Sequence, residues 1–190
     1  MVKIIVIAVG GFFTLWSGYT VFFEGNLEQP SFSVLEKEGN FQVRMYESFR
    51  VAQTEQKRGE ENLRQGFRKV AGYLFGGNEE QRSMSMTAPV IQENHNEGIR
   101  VAFVMSTKEV DVPIPHDEDV VLSRVEWGRV AVIRFSGYGN QKRFQKKEEV
   151  LRAWMQKKGI EGEDMGIYAQ YNSPYAFPLL RRNEVLIRLK

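Results

Sequence analysis

Side chains able to do catalytic or metal chemistry are scarce in this chain, and that scarcity narrows its function. Cysteine is absent, which excludes disulfides, thiolate metal sites, cysteine nucleophiles and thioether attachment of a prosthetic group. The two histidines, His95 and His116, are too few for a His-rich metal centre. Asp and Glu number 24, yet no nucleophile, base and orienting group can be placed together. No phosphate loop or metal-ligand cluster is present either. No catalytic residue is assigned, so an enzyme is the weakest reading and recognition the stronger one.

The side chains best suited to recognition lie between Tyr171 and Leu189, YNSPYAFPLLRRNEVLIRL. Pro174 and Pro178 fix their own φ and push Ser173 and Phe177 toward extended geometry, so the loop is stiff. Tyr175 and Phe177 are then hard to tuck away. Arg181-Arg182-Asn183-Glu184 opens a strand in which Val185, Ile187 and Leu189 share one face and Arg188 takes the other, the pattern of a half-buried edge strand. In isolation the stretch also reads as an ordinary proline turn before a closing strand.

Several elements must position it. Phe41, Val43 and Met45 alternate with polar neighbours in one strand, and Phe49 to Thr54 extends it or forms its neighbour. A helix is predicted over about Glu60 to Phe75, with Leu63, Phe67, Val70, Ala71 and Leu74 on one stripe and Gly76-Gly77 as its stop. Gly66 and Gly72 inside it each cost ~1 kcal/mol relative to alanine, which suggests either a close neighbour or simple tolerance. Arg82 to Val90 reads as a strand whose methionines can line a core or a flat ligand. His95 falls in a polar loop, Gln92 to Gly98, and Ile99 to Ser106 is the next strand. Val120 to Val125 and Arg129 to Phe135 read as a hairpin about Trp127-Gly128. Asn140 caps a second helix to about Lys158, with Phe144, Leu151, Trp154 and Met155 on its stripe and Lys142, Arg143, Lys146 and Lys147 on a solvated face. Strands, helix and strands thus occur twice, which predicts a duplicated α+β unit closing into a curved sheet or barrel with the helices outside.

The 190 residues suit one domain plus an appendage. Twenty-six basic against 24 acidic residues leave a formal charge of +2, which gives no argument for nucleic acid as a partner. Ile4 to Phe23 carries no charge and, as a helix, would rise ~30 Å, enough to span a bilayer. Residues 1–24 are therefore expected to be an uncleaved membrane anchor, with a cleaved signal or a buried core helix as alternatives. Lys3 places the N-terminus inside and the domain on the non-cytoplasmic side. Residues 25–32 read as a linker and 33–190 as the folded domain.

The ordered segments Tyr46-Glu47, Glu61-Asn62-Leu63-Arg64, Tyr73 to Asn78, Met84-Ser85-Met86-Thr87-Ala88-Pro89-Val90, Tyr171-Asn172-Ser173-Pro174 and Arg181-Arg182-Asn183-Glu184-Val185 resemble the SOUL family of haem-binding proteins. The resemblance runs from about Ser33 to Leu189 and implies a distorted antiparallel β-barrel of two similar halves with two flanking helices. It also implies non-covalent binding of haem or other tetrapyrroles, along the first helix and under the loop before the last strand. Carried over, the site residues are Leu63, Arg64, Phe67 and Ala71 on the helix, with Tyr171 and Phe177 on the loop side. Phe67, Ala71 and Tyr171 would form an apolar wall, and Arg64, with Arg68 one turn along, would pair with a propionate. A lysine that some members carry one turn further is Gly72 here, and neither histidine occupies a family ligand position, so the metal ligand is unassigned. Two functions follow: a membrane-held tetrapyrrole carrier or buffer, or a module taking a peptide or another amphipathic ligand in the same groove.

Overall fold

The computed structural model describes residues 25–95 and 98–190. The apolar stretch 4–23 lies outside them, and among the described residues no helix is long and apolar enough to cross a membrane. The described chain forms β1 (Phe32–Glu38), β2 (Phe41–Tyr46), β3 (Phe49–Lys57), α1 (Glu60–Leu74), β4 (Val90–Asn94), β5 (Gly98–Val104), β6 (Val121–Val125), β7 (Arg129–Ser136), α2 (Gln141–Lys158), β8 (Ile167–Gln170) and β9 (Arg182–Arg188). A 3-10 turn, Pro178–Leu180, precedes β9.

All nine strands join one antiparallel sheet in the order β1-β2-β7-β9-β8-β4-β5-β3-β6. Its two halves repeat. In one, β3 is followed by α1, β4 and β5, and β5 pairs with both β3 and β4. In the other, β7 is followed by α2, β8 and β9, and β9 pairs with both β7 and β8. The halves meet where β4 pairs with β8. The fold is α+β, as the spacing of elements predicted.

The sheet is strongly curled. Only Glu47 and Ser48 separate β2 from β3, yet these strands stand second and eighth in the sheet order. The link from β6 to β7 crosses the same gap, and the Tyr46 amide donates to the Gly128 carbonyl across it at 2.9 Å. This corrects the predicted hairpin: β6 pairs with β3, and β7 with β2 and β9. The cause is Trp127, whose indole is buried inside the curl with ring centroids 5.0 Å from Tyr46 and 4.9 Å from Phe49. Placing that ring inward sends the chain across the gap instead of back along itself.

Three apolar cores result. The inner one gathers Val51, Ile91, Trp127, Val130, Val132, Ile167 and Leu186 within the curl. On the outer face, α2 packs Phe144, Leu151, Trp154 and Met155 over Ile133, Val185 and Ile187. In the other half, α1 packs Val70, Ala71, Tyr73 and Leu74 over Ala52, Val101 and Phe103. β9 is thus a central strand buried on both faces, not the edge strand its alternation suggested, because Leu186 and a paired Glu184 fill the interior side.

The α2 boundaries follow sequence signals. Asn140 Oδ1 accepts from the Arg143 amide at 2.9 Å, and Gly159 ends the helix with a left-handed φ of 67°. In α1 the two internal glycines differ. A Cβ at Gly66 would lie 2.9 Å from Gln56 Cγ and 3.0 Å from Val101 Cγ2, so the helix approaches the sheet there, whereas nothing lies within 4 Å at Gly72. The methionine segment also divides. Val90 to Asn94 is the strand, and Met84 to Pro89 runs outside regular structure, since Pro89 removes a ladder donor. Met84 is in the core, and Met86 faces outward.

Candidate ligand-binding groove

Each helix covers its own half of the sheet, so the seam between halves stays open on the outer face. There Val90 pairs with Gln170 and Gln92 with Tyr168, and these four side chains floor a groove between α1 and the start of α2. Two confluent chambers, of about 620 and 740 Å³, share Phe67, Val90, Gly139, Asn140 and Gln170. Either volume lies in the ordinary range for small-molecule sites.

The smaller chamber has mixed charge. Arg58 and Arg64 line it together with Glu60, Glu148 and Asp164. Arg64 is exposed and faces Glu60 at 3.8 Å and Glu61 at 3.6 Å, while Arg68 pairs with Glu61 at 2.8 Å. Tyr168 donates its hydroxyl proton to Glu148 Oε2 at 2.8 Å, and burial, then Glu148, push the phenol above its ordinary value.

The larger chamber is apolar and nearly free of charge. Leu27, Phe67, Met86, Ala88, Phe103, Tyr138, Tyr171 and Pro174 line it, and Arg181 is its single charged residue among the described residues. The Arg181 guanidinium is fixed by donation to the carbonyls of Ala176 at 3.0 Å and Pro174 at 2.5 Å, with Cζ 4.6 Å from the Tyr138 ring centroid. The segment bearing Tyr138 is itself clamped, with Gln170 Nε2 donating to Gly139 O and Asn183 Nδ2 to Gly137 O, both at 2.8 Å. A Cβ at Gly139 would lie 2.6 Å from the ends of both of those side chains, so a larger residue there would displace the clamp.

Behind the chamber sits a buried polar cluster. Glu184 is 0% exposed and accepts from Arg44 Nη1 at 2.8 Å, Arg44 Nη2 at 2.9 Å, Arg182 Nε at 2.9 Å and the Tyr171 hydroxyl at 2.9 Å. Burial alone would raise the Glu184 pKa, but Arg44 and then Arg182 outweigh it and hold the carboxyl below its usual range. Burial, and then Glu184, push the Tyr171 phenol well above its ordinary value, so it serves as a donor. Its ring thereby becomes a fixed part of the groove wall.

Of the expected site residues, Leu63, Arg64 and Phe67 line the smaller chamber, and Phe67 and Tyr171 the larger. Ala71 is buried beneath α1, and Phe177 lines neither chamber. Sequence reasoning overlooked Arg181, Tyr138 and Val90 as lining residues. The double arginine was visible, but which of its members faces the groove depends on where β9 begins. Neither histidine lines the groove, and among the described residues no cluster of three or more His, Asp or Glu could hold a metal ion.

The curled sheet of two matching halves, with an open groove over their seam, defines a small α+β domain of the two-helix, barrel-like class. The sequence profile described as "SOUL heme-binding protein" matches residues 27–188, and the chain belongs to that family. It is 26% identical over 174 residues to "Heme-binding protein 2" of Mus musculus, with 84% of each chain covered. Among solved structures, the EcmrR C-terminal domain is similar at a TM-score of 0.60 and 8% identity, covering 79% of this chain and 96% of its own. A structure described as a hydrolase from Listeria innocua is similar at 0.52 and 10% identity, covering 82% and 94%. At such identities these two likenesses speak for the fold alone.

Proposed function

We propose that the groove binds haem or another tetrapyrrole non-covalently, and that the protein is a carrier or buffer of such ligands held at a membrane by residues 4–23, with the domain on the non-cytoplasmic side. The observation that carries this reading is the larger chamber: apolar and aromatic walls with one fixed cation at the rim. A porphyrin is a flat apolar disc with carboxylates on one edge, and this lining matches it. Phe67, Met86 and Tyr171 offer the surface for the disc, and Arg181 a partner for a carboxylate. Arg64 and Arg68 are weaker candidates, since Glu60 and Glu61 already face them.

The donor set fits the macrocycle better than the iron. Among the described residues, Met86 and Met165 supply the groove's only sulfur atoms, and no histidine lines it. Affinity then rests on the disc and its carboxylates, and haem is cargo here, with no reaction step assigned to it. Titration with haemin and with metal-free protoporphyrin tests this, followed by absorbance and tryptophan quenching. Saturable one-to-one binding of both, at similar affinity, is the expected result. Tight peptide binding with only non-saturating uptake of both tetrapyrroles would transfer the groove to an amphipathic peptide.

A further inference from the structure

We infer that the open rim of the larger chamber rests on a lipid bilayer, so that an apolar ligand passes between membrane and groove without crossing water. The path of the chain is the first support. Leu27 lines the chamber, and the adjoining Glu28 carbonyl accepts from the Ala88 amide at 2.9 Å, so the chain runs along the groove's edge. Only Glu24, Gly25 and Asn26 separate Leu27 from Phe23, the last residue of the uncharged apolar stretch. Four residues reach at most ~14 Å. An apolar stretch in the bilayer therefore keeps the chamber at the lipid surface.

The rim is the second support. Its loop wall, which contributes Asn172 to Pro174 and Arg181 to the chamber, also carries Tyr175, 80% exposed, and Leu179, 71% exposed. Across the opening, Met86 is 51% and Phe67 42% exposed. Aromatic and aliphatic side chains around a mouth whose one charge, among the described residues, is an arginine suit the headgroup boundary, where carboxylates would be unfavourable. Among the described residues, the larger chamber's lining contains no carboxylate.

The docking rests on the membrane attachment proposed above but not on the identity of the cargo, and the experiment separates the two. The chain has no cysteine, so single cysteines can be introduced and labelled with an environment-sensitive fluorophore. Leu179→Cys reports the rim and Lys157→Cys the far end of α2, about 25 Å away along that helix from its groove-lining start. The full chain in phosphatidylcholine vesicles, with no tetrapyrrole added, is expected to show quenching by shallow doxyl-labelled lipid at position 179 and little at 157. Equal quenching at both sites, or a full chain that does not associate with the vesicles, overturns the inference. In a second arm, Leu179→Asp with Leu180→Asp is expected to slow protoporphyrin transfer from vesicles to protein about tenfold, with solution affinity unchanged. An unchanged transfer rate also overturns it, whereas loss of solution binding by the unsubstituted chain would remove the tetrapyrrole reading and leave the quenching result standing.

Discussion

Arg182 lies over the ring of Tyr171, its Cζ 3.7 Å from the ring centroid, and both side chains bond the same carboxylate, Glu184. One face of the groove is thus built on an ion cluster in the interior of the curled sheet. Arg44 reaches it from β2, and Arg182 Nη1 donates to Gln29 Oε1 at 2.9 Å, tying in the chain before β1. The Arg-Arg-Asn-Glu run therefore has divided roles: Arg181 at the groove, Arg182 on Tyr171, Asn183 on the Gly137 carbonyl and Glu184 in the interior.

Removing the central charge should be severe. Glu184→Gln leaves Arg44 and Arg182 facing a neutral amide in a buried site, and breaking such a pair costs about 3–5 kcal/mol. Urea unfolding of the variant is expected to show a loss of that order. A loss below about 1 kcal/mol would mean that water reaches the cluster, contrary to its burial.

Acid should act through the same group. The folded-state pKa of Glu184 lies below its unfolded value, which is about 4.3 for an unperturbed glutamate. Its contribution to stability is then complete above about pH 4.3 and disappears as pH falls through the lower, folded value. Unfolding free energy measured from pH 6 downward is expected to drop below about pH 4.3, and the acid limb of Glu184→Gln to be shallower. Parallel limbs would assign the acid sensitivity to other carboxylates.

Local features were legible in the chain, and those set by distant partners were not. Asn140, Gly159 and the Phe144–Leu151–Trp154–Met155 stripe are signals within one helix, and α2 begins and ends where they place it. The β6–β7 pairing was misread because alternation shows that two runs are strands, not which strands they pair with; burial of Trp127 decides that. Met84 and Met86 look alike in sequence and part only when β4 begins at Val90. Phe67 and Tyr171, singled out from the sequence, line the candidate groove, but Arg181, which also lines it, was passed over in favour of Arg64, whose acidic neighbours at i−3 and i−4 compete for it.

The two α1 glycines give a test of packing. Gly66→Ala places a methyl against Val101 and Gln56, and is expected to lower stability by about 1–3 kcal/mol. Gly72→Ala meets nothing and gains helix propensity, so it is expected to raise stability by about 0.5–1 kcal/mol. Thermal or urea unfolding of the pair reads both signs, and a stabilising Gly66→Ala would contradict the close approach of α1 to β3 and β5.

The last prediction separates the two cationic candidates in the groove. Phe67 is 42% exposed and packs on Phe103 at a centroid distance of 5.1 Å, so Phe67→Asp alters the groove wall more than the core. Losing an apolar contact worth about 1.5–3 kcal/mol corresponds to roughly 10- to 150-fold weaker haemin binding. Arg181→Glu replaces the one cation that the described residues give the larger chamber by a carboxylate, and a charge-assisted bond of about 1.5–3 kcal/mol predicts a similar loss. Arg64→Glu, by contrast, changes a solvated side chain already flanked by Glu60 and Glu61, and is expected to weaken binding less than about threefold. Haemin titration of the three variants, each checked for folding by far-UV circular dichroism, decides the matter. A larger effect at Arg64 than at Arg181 would place the ligand's carboxylates in the smaller chamber, beside α1.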